Sequence, residues 1–394
     1  MKTILTILCL TFSFSYANAQ ATWTYVEVND SNNNSFNGVC FTSETTGVIV
    51  GQNGMIKRST DGGKTWTIIN SGQTTDLNNV FFLNQNLGWA VGTAGIVIKT
   101  TDGGLTWANS SGTNLSGYIL KDVKFLDANN GYVTGSQIFK TIDGGNTWTQ
   151  LTSKQSFKQS IDFIDINNGY VCGNDGLLGN TVNGTSFLGQ TSPVGNNIYK
   201  IRFINDSVGV AVGQSNLILY TKNKGVTWTV KSTAGNKDLL DVCTIGKNIF
   251  WAVGTNGYIQ KSTDAGNSWT TIIDAGNQGQ EYKDISFINE NLGWFVGESG
   301  VNIYDNRTSA KIEKASSKSQ FNCFPNPSTG LVNLSQIETG STISIVDITG
   351  KKVFEIWSTD AEITLNLSHL NKGIYFVSVM SKPKMYQIKK LTIN

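Results

Sequence analysis

The strongest constraint on this chain is a period of 41 residues that returns along most of its length. Its marker is a glycine-rich hairpin ending in tryptophan: STDGGKTW at Ser59 to Trp66, TTDGGLTW at Thr100 to Trp107, and TIDGGNTW at Thr141 to Trp148. Looser copies follow as TKNKGVTW at Thr221 to Trp228 and STDAGNSW at Ser262 to Trp269. Trp66, Trp107 and Trp148 are 41 residues apart, as are Trp228 and Trp269. A unit of this length cannot bury its apolar face alone and must stack against copies of itself. With four short strands per unit, the period predicts an all-β propeller.

Each period has the same internal order. A short apolar strand comes first, such as Val80 to Leu83, Val123 to Leu126, Ile201 to Ile204 or Ile285 to Ile288. A turn rich in Asn, Asp and Glu leads to a second strand ending in glycine, as in Gly88-Trp89-Ala90-Val91-Gly92. The third strand enters the Asp-Gly-Gly hairpin and the fourth begins at the tryptophan. Short apolar runs bounded by Gly and Asn read as strands. The glycines that end the second strands are Gly51, Gly92, Gly135, Gly173, Gly213, Gly254 and Gly297, which predicts seven blades. The fourth blade is degenerate, with Phe187 in the tryptophan slot, and the seventh lacks a fourth strand. Thr22-Trp23-Thr24-Tyr25-Val26 matches Thr65 to Ile69 and is expected to supply it, removing two exposed sheet edges.

The ends of the chain read differently. Lys2, the apolar run Ile4 to Phe14 and the small residues Ala17-Asn18-Ala19 predict a signal peptide over residues 1–19, with Gln20 as the first mature residue. No other stretch approaches the ~18 apolar residues of a membrane-spanning helix. The propeller is expected over residues 20–307, a polar Ser- and Lys-rich linker over 308–319, and a second small domain over 320–394. The 42 glycines against 4 prolines suit a chain of tight turns. A net charge of +2 excludes a nucleic-acid binder, which needs a concentrated basic surface. Cys40, Cys172, Cys243 and Cys323 remain after the leader, and they read as small buried hydrophobes rather than disulfides.

The hairpin STDGGKTW and its copies resemble the Asp-box of the BNR repeats of sialidases, sortilin-type receptors and some glucanases. Asp61, Asp102, Asp143 and Asp264 are therefore expected to be structural, each accepting backbone N–H groups across its turn. These loops lack the dense oxygen ligands that calcium requires. The motif, the GWAVG-like second strands and the blade count resemble the photosystem II assembly and stability factor family over about residues 22–307. The tail has another resemblance. FPNPSTG at Phe324 to Gly330, DITGKKV at Asp347 to Val353, LNKGIYFVSV at Leu370 to Val379 and the KKLTI ending resemble the type A C-terminal sorting domain of the type IX secretion system of Bacteroidetes. That resemblance implies a small Ig-like β-sandwich, recognition by the type IX machinery, and release outside the cell or attachment to its surface.

Catalytic constellations are sparse. The single histidine, His369, lies in the tail and reads as a strand residue, which excludes Ser-His-Asp and His-zinc sites from the propeller. No glycine-rich loop opens a helix, so no nucleotide cradle or other cofactor site is expected. Arg58, Arg202 and Arg307 occupy unrelated positions, against the three converging arginines of a sialidase. Aligning the blades places Gly38, Asn79, Asp122, Ser160, Lys200, Asp241 and Asp284 together, just before the first-strand core. Lys124, Asp162 and Arg202 lie two residues on and point the same way. Asp122, Lys124, Lys200, Arg202, Asp241 and Asp284 are thus the candidate ligand-binding set at one channel mouth. The plainer reading of the same residues is a solvated rim of weak ion pairs. The sequence predicts a monomeric, exported, non-catalytic module that binds a protein or glycan. A two-carboxylate glycosidase at the channel mouth is the alternative.

Overall fold

The computed structural model describes residues 22–28, 34–152, 156–232, 235–272, 280–298, 300–306, 321–348, 351–381 and 385–394. The expected signal peptide and linker lie outside the described residues. The chain divides into two units, residues 1–307 and 308–394. In the first, six four-stranded sheets are built from consecutive strands, blade 1 for example from Phe36–Phe41, Gly47–Gly51, Ile56–Ser59 and Thr67–Ile69. The seventh sheet has the order Thr22–Glu27, Gly300–Asp305, Leu292–Gly297, Tyr282–Asn289. Its N-terminal strand pairs antiparallel with the last propeller strand, Trp23 opposite Tyr304 and Val26 opposite Val301. The fold is an all-β, seven-bladed propeller.

Why this sequence makes blades is visible in one cross-strand pair. Phe82 in the first strand lies opposite Gly88 in the second, and Phe41–Gly47, Phe125–Gly131, Phe163–Gly169, Phe203–Gly209 and Phe287–Gly293 repeat the pairing. A Cβ on Gly88 would meet the Phe82 ring at 2.7 Å, so glycine makes room for the ring. The ring then packs on the preceding blade. Phe125 stacks on Trp89 at 3.4 Å and Phe41 on Trp294 at 3.5 Å, while the hairpin tryptophans Trp148 and Trp66 close edge-on at 6.1 and 5.9 Å. In blade 4 Phe187 takes the tryptophan's place against Phe163, again edge-on at 6.1 Å. The edge-to-face pairs add roughly 0.5–1.5 kcal/mol each beyond area burial. The glycines that count the blades serve another close approach: a Cβ on Gly92 would strike the Asp76 carbonyl just before its own first strand.

The Asp-Gly-Gly hairpins are held from within and from the side. Asp61 Oδ1 accepts the N–H groups of Lys64 and Thr65 at 3.0 and 2.9 Å, and its Oδ2 takes the Thr65 hydroxyl at 2.6 Å. Asp102, Asp143 and Asp264 repeat the bond to the residue four along, at 2.9, 2.9 and 2.8 Å. A side chain of the neighbouring blade then latches the turn. Trp294 Nε1 donates to Gly62 O at 2.8 Å, and Tyr132 Oη donates to Gly184 O at 2.9 Å.

The second unit holds two antiparallel sheets. One has three strands, Asn322–Phe324, Leu331–Ser335 and Glu362–Asn366. The other is ordered Lys352–Trp357, Thr342–Asp347, Gly373–Ser381, Met385–Ile393. Phe321, Leu334, Ile345, Leu365, Val377 and Leu391 form its buried core. His369 is exposed in a turn after the Glu362–Asn366 strand rather than within a strand.

Candidate functional site

The seven first strands are Phe36–Phe41, Leu77–Phe82, Leu120–Phe125, Lys158–Phe163, Ile198–Phe203, Leu239–Ile245 and Tyr282–Asn289. Each carries a β-bulge at its second residue, as between Leu120 and Asp122. The extra residue breaks strict alternation. Leu120, Val123 and Phe125 therefore share the blade core, and Asp122 and Lys124 are turned away from it. Around the ring this builds two tiers. The inner tier is Gly38, Asn79, Asp122, Ser160, Lys200, Asp241 and Asp284, all buried. The outer tier is Cys40, Phe81, Lys124, Asp162, Arg202, Cys243 and Ser286, half-buried apart from the buried Asp162.

A cavity of about 290 Å³ lies within these tiers. Lys124, Lys200, Arg202, Asp241 and Asp284 line it, as do Asn79, Phe81, Cys40, Asp162, Cys243 and Ser286. Asp122 does not, and sits beneath Lys200 and Arg202, 1% exposed. The expected solvated rim is not what forms. Asp241 is 3% exposed, and Lys200 and Asp284 are 6% exposed. The ring is narrow enough for side chains of separate blades to meet: Lys200 Nζ of blade 5 lies 3.6 Å from Asp122 of blade 3 and 3.3 Å from Asp241 of blade 6. Arg202 lies 3.6 Å from Asp122, and Lys124 lies 3.0 Å from Asp162.

The carboxylates also stitch blade to blade. Asp122 Oδ2 accepts the Ser160 hydroxyl at 2.6 Å and the Ile161 N–H at 3.1 Å, both of blade 4. Asp162 accepts the Phe203 N–H at 2.8 Å, Asp241 the Ile285 N–H at 3.0 Å, and Asp284 the Val39 N–H at 2.7 Å. An innermost strand has no inner neighbour, so its inward N–H groups need such acceptors. These bonds make the aspartates part of the ring's cohesion.

Charge in the cluster is nearly balanced. Four carboxylates, Asp122, Asp162, Asp241 and Asp284, face three cations, Lys124, Lys200 and Arg202. Burial penalises the Lys200 ammonium, but Asp122 and Asp241 outweigh it and hold its pKa above the ordinary range. Burial likewise works against the charged Asp122, and Lys200 with Arg202 overcomes it, lowering the pKa. At Asp284 burial prevails. Helped by the charge of the neighbouring Asp241 carboxylate, it pushes the pKa well above the usual carboxylate range. Two adjacent carboxylates cannot both ionise cheaply. The surplus negative charge is relieved at Asp284. Burial also pushes the Cys40 thiol up to about 12, so it behaves as an inert hydrophobe. Cys40, Cys172, Cys243 and Cys323 are free thiols.

Alignment of the blades found one tier and part of the other. Applied to every blade, the same two-residue step would also have found Cys40, Phe81, Cys243 and Ser286. Arg58 lies elsewhere, its Nε donating to Gly103 O at 2.8 Å, and Arg307 is outside the described residues. Asp241 and Asp284 are each tied to the next blade, accepting the Ile285 and Val39 N–H groups, rather than standing as a free carboxyl pair. Among the described residues no group of His, Cys, Asp and Glu is arranged to hold a metal ion, and no helix is long and apolar enough to cross a membrane.

Residues 16–117 and 231–304 match the family described as photosynthesis system II assembly factor YCF48. Residues 322–394 match the secretion system C-terminal sorting domain. None of the curated proteins matches. Among solved structures, YCF48 bound to a D1 peptide is 19% identical, with a TM-score of 0.61 over 74% of this chain and 96% of that one. YCF48 from Cyanidioschyzon merolae is 20% identical, with a TM-score of 0.59 over 72% and 98%. PorZ, a surface component of the type IX secretion system of Porphyromonas gingivalis, is 15% identical. Its TM-score is 0.54, over 92% of this chain and 59% of PorZ. At such identities the likeness is one of fold. The chain is a seven-bladed propeller similar to the YCF48 family, followed by a type IX secretion C-terminal sorting domain that marks it for secretion or attachment at the cell surface.

Proposed function

We propose that this protein is a non-catalytic binding module, displayed on or released from the outer cell surface, whose propeller grips a protein or glycan ligand in its central channel. Residues 1–19 would direct export and be removed. The sorting domain would then engage the type IX machinery across the outer membrane. The observation that carries the binding reading is the cavity of about 290 Å³, in which five of the six candidate residues converge. Lys124 and Arg202 keep 27% and 23% of their side chains exposed there, so a ligand can reach them. Two relatives of the fold point the same way. One YCF48 propeller was solved with a peptide bound, and PorZ belongs to a bacterial surface. The engaged state of the aspartates speaks for binding over hydrolysis. Each makes an ion pair or accepts a backbone N–H of the next blade.

The test is a screen of the purified protein against glycans, polysaccharides and surface proteins, scoring both retention and release of reducing ends. Retention without turnover, weakened by Lys124→Ala or Arg202→Ala, is the expected result. Turnover abolished by a single aspartate substitution would make the protein a glycosidase instead.

A further inference from the structure

We propose that the channel cavity seats one neutral pyranose ring, the terminal residue of a glycan. This rests on the channel being the ligand site and narrows what the ligand is. Size comes first. At about 290 Å³ the cavity lies just below the roughly 300–1,000 Å³ typical of drug-sized ligand sites, which suits a smaller ligand of about a dozen non-hydrogen atoms. Charge decides next. Lys124, Lys200 and Arg202 each have a carboxylate within 3.6 Å, so no cation waits for an anion. An ionic ligand would lose its hydration and meet only charges that are already paired. A neutral polyol exchanges water hydrogen bonds for protein ones without that cost.

The hydrogen-bonding inventory fits hydroxyl groups. Lys124 and Arg202, whose side chains keep 27% and 23% exposure at the cavity, have N–H groups to offer a sugar hydroxyl oxygen without leaving their carboxylates. Ser286 Oγ already accepts the Phe41 N–H at 3.0 Å, which leaves its O–H to donate. Asn79 adds an amide, able to donate and accept, at the same wall. Beside it Phe81 presents a half-buried ring with the Lys124 ammonium 5.8 Å from its centroid. An aromatic face next to buried carboxylates and an amide is the surface that a pyranose needs, because the sugar offers an apolar C–H face and a polar rim.

The experiment is calorimetric titration of the purified protein with methyl pyranosides of neutral hexoses and N-acetylhexosamines, with glucuronate and glucosamine as charged comparators. At least one neutral sugar should bind saturably, and Asn79→Ala and Phe81→Leu should each weaken it about tenfold or more at unchanged melting temperature. If Phe81→Leu does not fold, saturation-transfer NMR on the unaltered protein decides: sugar C–H protons must receive saturation from an aromatic ring. Absence of saturable binding by every monosaccharide overturns the proposal, as does tighter binding of a charged sugar than of its neutral parent. A protein or polysaccharide that binds while no monosaccharide does, and is lost in Arg202→Ala, overturns the pyranose and leaves the channel reading standing. A ligand indifferent to every channel substitution overturns both.

Discussion

Asp284 is the residue at which the channel's charge imbalance collects, and its chemistry gives a test with a definite sign. Its folded pKa is raised, chiefly by burial and then by Asp241. The unfolded chain ionises this carboxyl at about pH 3.9, whereas the folded ring holds its proton to higher pH. Folding is therefore penalised progressively above pH 4, up to the folded pKa. Asp284→Asn keeps an oxygen for the Val39 N–H and gains an amide to donate to Asp241. It should raise the melting temperature at pH 7–8 and lose that advantage near pH 4; a shift independent of pH would disprove the assignment. The hairpin aspartates run the other way. Hydrogen bonds from Thr106 and Thr147 hold Asp102 and Asp143 down to about 2. Their contribution is complete above the unfolded pKa and lost as pH falls from about 4 to 2, so Asp102→Asn should blunt acid unfolding in that window. Removing a cation is harsher. Lys200→Met strands the buried Asp241 and leaves Asp122 to Arg202 alone, and should cost about 3–5 kcal/mol in denaturant unfolding.

At the scale of strands, one blade breaks the rule that the others obey. Blade 6 has Thr244 opposite Phe250 where the rest have phenylalanine opposite glycine. The ring has moved to the partner strand, and Phe250 packs against Trp269 at 6.2 Å. The pair should behave as a unit. Thr244→Phe alone overfills the site and Phe250→Gly alone empties it, each costing about 1–3 kcal/mol or more, while the double substitution should recover a large part of the loss. Additive losses in chemical denaturation would show the two positions to be independent. Such pairs explain why the blades were legible. The 41-residue period is written in side chains that do one packing job repeatedly, Trp at the hairpin and Gly under a ring. The bulges were not legible, because Asn37, Lys121, Tyr199 and Leu240 sit at the same extra position and share no chemistry. The charged cluster was legible only in part. Alternation says which residues face the channel, but not how close residues of separate blades come. The carboxylates therefore read as a wet rim, although Lys200 pulls Asp122 and Asp241 into a buried one.

Across the whole molecule, cohesion is local between adjacent blades and global at one seam. The seam is the antiparallel pairing of Thr22–Glu27 with Gly300–Asp305, in which Trp23 lies 5.0 Å from Tyr304 and 5.2 Å from Phe295. Deleting residues 20–28 should lower the melting temperature of the entire ring and broaden its transition. Melting at the original temperature would mean that the seam is decorative.

That seam also sets an order in time. The first strand of the propeller is made almost 300 residues before its partner, since Thr22 meets Asp305. During synthesis and export it must wait without a mate while the blades between condense one upon another. Closure is then a single late event, and long-range pairings of this kind are intrinsically slow. The sorting domain comes later in the chain than the strand that closes the ring, so the address label emerges only when the cargo has the means to finish folding.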